Sequence, residues 1–139
     1  MTTFVRPMFS IPGTPSTVRN YWIATGLFTL LFVGSLVLTL TDLETSYKSY
    51  IHLGFPAWSV FFNASGKILG LAAIYWNRSR TLKDFAFAGF LFDLLLALCA
   101  HIAQREADVL LAAFGLVLWG FAFYMNRKVF PTVENPRSL

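Results

Sequence analysis

Four long apolar stretches, over residues 21–40, 56–76, 85–103 and 109–125, constrain this chain of 139 residues more than any other feature of it. At about 1.5 Å of rise per residue, a helix of that length crosses the roughly 30 Å of a bilayer's hydrocarbon. The stretch at 109–125 is the shortest of the four and uses nearly all of its residues to span. Composition points the same way: 56% of residues are apolar and 13% charged, with a mean hydropathy of +0.60. A soluble fold of this size has too little interior to hide that much apolar surface. The expected fold class is all-α, an integral membrane bundle of four antiparallel helices.

The remaining segments suggest how the spans are joined. Residues 1–20 form a Pro-, Thr- and Ser-rich tail, with Ser16 or Thr17 placed to cap the first helix. The apolar run that follows is too long for the core of a signal peptide and reads as a retained first span. Residues 41–55 carry Asp42, Glu44, Tyr47, Lys48, Tyr50 and His52, a mixture suited to an aromatic interfacial segment, and Gly54 and Pro56 restart a helix. The connection over 77–84 is short and basic, with Thr81 and Asp84 spaced as a capping box. Arg105, Glu106 and Asp108 make the last turn. Connections this short make the last three spans antiparallel neighbours. The domain reading is a cytoplasmic tail over 1–20, a transmembrane domain over 21–126 and a second cytoplasmic tail over 127–139.

Basic residues set the expected orientation. Arg6, Arg19, Arg78, Arg80, Lys83, Arg127, Lys128 and Arg137 fall on one side, against Lys48 and Arg105 on the other. The positive-inside bias therefore places both termini in the cytoplasm. Trp22, Trp58, Trp76 and Tyr124 lie near span ends, where amphipathic rings favour the headgroup region. The basic excess flanks apolar runs, which makes it a topology signal and not a nucleic-acid footprint. Cys99 is the only cysteine, so this chain by itself forms no disulfide and carries no dithiol chemistry. The sequon matches at Asn63 and Asn77 fall in a span and in a cytoplasmic loop, and are chance.

Charges inside spans are costly, so the exceptions carry most of the functional information. The second span holds Lys67 and the third holds Asp93, with His101 closer to that span's outer end. Measured from the cytoplasmic side, the lysine and the aspartate lie at similar depths, roughly 14 and 12 Å. Each left unpaired would cost about 2.5–3.5 kcal/mol, so a contact between them is expected, direct or through one water. Asn63, Gly66 and Gly70 share the face of Lys67, making it polar and small. Gly66, Gly70 and Gly89 are expected to serve close helix packing. His101 broadly shares the interior face of Asp93, so a polar track toward the outer side is expected. His52, Glu44, Glu106 and Asp108 should lie on that outer side as well, but they show no known ligand spacing, and no metal is expected. One histidine within the spans also rules out a bis-histidine haem.

Several residues together resemble the DoxX-like membrane family: Gly54-Phe55-Pro56, then Gly66-Lys67-Ile68-Leu69-Gly70, then Ala88-Gly89-Phe90-Leu91-Phe92-Asp93-Leu94 with Ala97 and His101. The resemblance covers roughly residues 21–125. It implies a four-helix bacterial inner-membrane protein. Some relatives are subunits of thiosulfate:quinone oxidoreductase or belong to a membrane oxidoreductase complex linked to thiol and superoxide defence, and most have no assigned activity. The family supplies no catalytic residue to carry over.

Three functions suit these residues. The first is a redox subunit that takes a quinone among Lys67, Asp93, His101, Asn63 and the aromatics Phe62, Phe90 and Phe92, with other oxidoreductase subunits as partners. A quinone needs a polar contact at its carbonyls and an apolar sleeve, which this set of side chains supplies. The second is a non-catalytic scaffold in which the ion pair is structural, and the third is a carrier of a small hydrophobic ligand. The lipid bilayer is a partner in each, and the oligomeric state is left open.

Overall fold

A computed structural model describes residues 14–76 and 79–130. Arg6, Asn77, Arg78, Arg137 and most of the two expected tails lie outside the described residues. Those described form five helices: α1 (Pro15–Thr41), α2 (Leu43–His52), α3 (Ser59–Trp76), α4 (Arg80–Gln104) and α5 (Val109–Val129). Among them α1, α4 and α5 are long and apolar enough to cross a membrane. Helix α3 is not in that set, because Asn63 and Lys67 dilute its 18 residues. By length and composition alone, three of the described helices qualify as spans, where the sequence reading expects four.

Helix boundaries differ from expectation where capping chemistry differs. Helix α1 begins at Pro15, which takes the first helical position where an N–H has no partner to lose, and Thr14 stands before it as N-cap. Ser16 and Thr17 do not cap; their hydroxyls bond that of Thr14 at 3.1 and 2.8 Å. Ser79 caps α4, accepting from the Leu82 N–H at 3.3 Å. The expected Thr81–Asp84 box is absent because Asp84 faces Arg80 and Arg127, at 3.9 and 3.4 Å. Pro56 precedes α3 in a turn closed by Ser59, whose N–H and hydroxyl both donate to the Pro56 carbonyl. Helix α2 occupies most of the segment read as interfacial. Asp42 caps it through the Thr45 N–H, and none of its residues is buried.

Helix α1 packs on α5 and α3, α4 packs on the same two helices, and α2 touches α1 and α3. Each long helix buries a narrow stripe: Tyr21, Ala24, Phe28 and Phe32 on α1, and Phe87, Phe90 and Leu94 on α4, spaced by three or four residues. Across the centre Phe28 meets Phe87 and Phe90, with ring centroids 6.0 and 5.1 Å apart. Gly115 lets α5 close on α4, since a Cβ there would lie 2.6 Å from Leu94 Cδ2.

Outside that core the surface is apolar. Leu30, Leu38, Leu69, Phe85 and Leu110 are all exposed, and Trp22, Trp58, Trp76 and Tyr124 also face outward. In water so much exposed apolar area would aggregate; in lipid it is the solvated face. The chain is a multi-pass membrane protein in contact with the bilayer.

Candidate functional site

Asn63 and Lys67 are one helical turn apart on α3, and α4 packs against that face with Asp93. The Asn63 side-chain amide donates to Asp93 Oδ1. Lys67 Nζ stands 3.8 Å from Asp93 Oδ2 and donates to Ser35 Oγ of α1 at 3.1 Å. It also lies 5.7 Å from the centre of the Phe32 ring. The two charged side chains retain 11% and 26% of their exposure, so the pair is shielded without being sealed. The expected lysine–aspartate contact is present, and Ser35 and Asn63 extend it across three helices.

The exposure that remains opens into a groove of about 450 Å³ between α3 and α4. Gly66, Gly70 and Gly89 form its floor, Phe62, Leu69, Phe85 and Phe92 its rims, and Asn63, Lys67 and Asp93 its polar patch. The rims are lipid-facing, with Phe62 76% and Phe92 68% exposed. Phe90 lines the groove too, but is 3% exposed and belongs mainly to the core, packed on Phe28 and Phe32.

The glycines divide by function, which corrects the packing expectation. Among the described residues a Cβ at Gly66 or Gly89 would meet nothing within 4 Å, so neither mediates close approach between them; both leave the groove open. A Cβ at Gly70 would lie 2.7 Å from Phe90 Cε2, so there the missing side chain admits the phenylalanine ring. Gly66→Ala and Gly89→Ala should therefore raise stability, by up to about 1 kcal/mol each, through helix propensity. Unfolding in mixed micelles measures this, and a loss at either position would show that an unseen neighbour fills the space.

His101 does not extend this patch. Its Nδ1 pairs with Glu106 Oε2 at 2.7 Å, and Glu106 Oε1 pairs with His52 Nε2 at 2.9 Å. His101 is absent from the groove lining, and the expected polar track from Asp93 is replaced by a separate cluster. The turn explains the diversion. Arg105 adopts a left-handed conformation at φ 57, and the Glu106 N–H bonds the His101 carbonyl at 3.0 Å, folding the glutamate back toward the imidazole.

Three side chains escaped the sequence reading, the first being Ser35, which accepts from Lys67. Tyr50 of α2 has its hydroxyl pKa pushed up to about 12, by burial first and by the negative charge of Asp93 second. A raised pKa means that the folded state favours the neutral phenol: this contribution is intact below pH 10 and is lost between about 10 and 12. A spectrophotometric titration should show a late tyrosine near pH 12 that is missing from Tyr50→Phe and whose midpoint drops in Asp93→Asn. An unchanged midpoint in Asp93→Asn would dismiss the electrostatic link. Lys83, assigned from sequence to a cytoplasmic loop, is instead 3% exposed. It donates to Tyr21 Oη at 3.0 Å and lies 4.1 Å from the Phe130 ring centre. Its spacing from Phe87, Phe90 and Leu94 was the available signal, since those four residues form one buried stripe.

The exposed Cys99 lies on α4 outside the groove lining. Chemically, the α3–α4 site offers ammonium and amide donors, a carboxylate acceptor and an apolar trough, enough to orient a ligand with a polar head and a hydrophobic body. No curated protein and no solved structure matches the chain. The profile of the DoxX-like family matches residues 23–123, well over half the chain and including the whole α3–α4 site. This chain belongs to the DoxX-like family.

Proposed function

We propose that the chain crosses a bacterial inner membrane four times, with α3 as the additional span and both termini in the cytoplasm, and that it holds a quinone in the groove between α3 and α4 as a subunit of a membrane oxidoreductase system. The observation that carries this reading is an apolar trough with lipid-facing rims whose polar patch presents Lys67, Asn63 and Asp93. Helix α3 joins the spans because its two polar residues turn toward α1 and α4 and leave Phe61, Phe62, Ile68 and Leu69 outward. Arg19, Arg80, Arg127 and Lys128 at one end of the bundle support the orientation.

The residues present suit a quinone head. An ammonium has three N–H donors, of which Ser35 takes one and Asp93 faces a second, leaving a third for a carbonyl oxygen. Asp93 faces the lysine and accepts from the Asn63 amide, and Phe62 and Phe92 flank the ring and tail. When bound, a quinone supplies a carrier of two electrons and two protons; the chain binds and orients it.

Thermal unfolding of the purified protein with ubiquinone and menaquinone analogues tests this reading. Ligand at about 100 times its Kd should add roughly 2.7 kcal/mol of stability. A folded sample whose unfolding no quinone shifts would contradict the proposal. A shift produced equally by any long-chain alcohol would reassign the groove to general lipid carriage.

A second observation favours a structural use of the same residues. Ser35, Lys67 and Asp93 tie α1, α3 and α4 together, as a scaffold would require. The paired substitutions described in the Discussion separate the two readings.

A further inference from the structure

His101 near the end of α4 and Glu106 and Asp108 in the following turn are close in sequence, and the fold brings His52, at the end of α2, to the same place. Ligand atoms of His101, Glu106 and Asp108 all lie within 4.8 Å of one another, and His52 Nε2 is 2.9 Å from Glu106. Around a zinc ion with bonds of about 2.0–2.2 Å, neighbouring ligand atoms are roughly 3.4 Å apart, so small adjustments suffice for those three, and His52, held at Glu106, would turn its imidazole to complete the set. We infer that these four residues bind a divalent transition-metal ion, independently of the groove and of its ligand.

Two features favour a metal over a hydrogen-bonded histidine–glutamate pair. The first-turn N–H groups of α5, from Val109 to Leu111, already donate to the Glu106, Ala107 and Asp108 carbonyls, so the Asp108 carboxylate is not engaged in capping and is available as a ligand. It stands within 4.8 Å of Glu106, where a bound cation would offset the repulsion between the two carboxylates. The donor set also discriminates. Two imidazole nitrogens with two carboxylates suit Zn²⁺, Mn²⁺ or Fe²⁺, whereas Ca²⁺ and Mg²⁺ favour all-oxygen sites. Joining His52 to the α4–α5 turn, the ion would fasten α2, and with it Tyr50, to the rest of the molecule.

The test uses the full chain in detergent, stripped with EDTA and dialysed. Co²⁺ should give the visible absorption of a nitrogen- and oxygen-ligated site with one equivalent bound, Zn²⁺ should displace it, and Zn²⁺ but not Mg²⁺ should raise the unfolding temperature. Asp108→Asn and His52→Ala alter exposed side chains and should leave the metal-free unfolding temperature unchanged while lowering Zn²⁺ affinity by about tenfold or more. His101→Ala should abolish the Co²⁺ spectrum, with circular dichroism reporting its fold. The inference is overturned if stripped, folded wild-type protein gives no Co²⁺ spectrum and no Zn²⁺-dependent shift. It is equally overturned if Asp108→Asn and His52→Ala bind Zn²⁺ as tightly as wild type, which would mark the ion as adventitious.

Discussion

Lys67→Met alone is expected to destabilise the protein by about 3–5 kcal/mol, because it leaves Asp93 charged and without its cation in a shielded site. The residual exposure of both side chains places the effect toward the lower end of that range. Combining Lys67→Met with Asp93→Leu should restore stability to within about 1 kcal/mol of wild type. The small deficit that remains belongs to the Asn63 amide, which loses its acceptor. Steric trapping or unfolding in mixed micelles measures each value. Function then divides the two readings of the pair: a scaffold works with the double substitution, whereas a quinone site folds and no longer responds to quinone. A double variant as unstable as Lys67→Met would mean that the two charges do not compensate each other.

The second large effect contrasts glycines on the same floor. Gly70→Ala drives a Cβ to 2.7 Å from the Phe90 ring. Phe90 is wedged between Phe28 and Phe32 and cannot withdraw without disturbing the core, so a loss of about 1–3 kcal/mol is expected. Gly89→Leu, by contrast, extends into the groove and should preserve stability while blocking the ligand. A stable Gly70→Ala would show that the Phe90 ring has room to move, and undiminished quinone stabilisation in Gly89→Leu would place the ligand elsewhere.

Much of this fold was legible because lipid-facing helices display their chemistry as uninterrupted apolar runs. The runs within α1, α4 and α5 are read from hydropathy, and the Lys67–Asp93 contact from the cost of isolated charge at similar depth. Helix α2 was not legible as a helix, since Leu43–His52 has no apolar run and covers side chains such as Tyr50 only in part, and its helical form depends on the Asp42 cap and on packing against α1 and α3. The lateral groove was hidden for a different reason. Glycines spaced by four residues look alike whether they admit a neighbouring helix, as in close-packed pairs, or leave space, as Gly66 does. His101 was misdirected because helical periodicity reports the face of a residue and not the reach of a following turn, and here Arg105 and Glu106 decide its partner. Lys83 was lost among basic residues whose count signals orientation, although its register with Phe87 and Phe90 marked it as inward.

The central claim, that a hydrophobic ligand lies between α3 and α4 with its polar head at Lys67 and Asp93, is tested most directly by photoaffinity labelling. A photoreactive quinone analogue is crosslinked to the folded protein in lipid and the modified residues are mapped by mass spectrometry. Labelling of Phe62, Leu69 or Phe92, competed by unmodified quinone and lost in Gly89→Leu, is the predicted result. Competed labelling confined to α1 and α5, or labelling that unmodified quinone does not reduce, would contradict it.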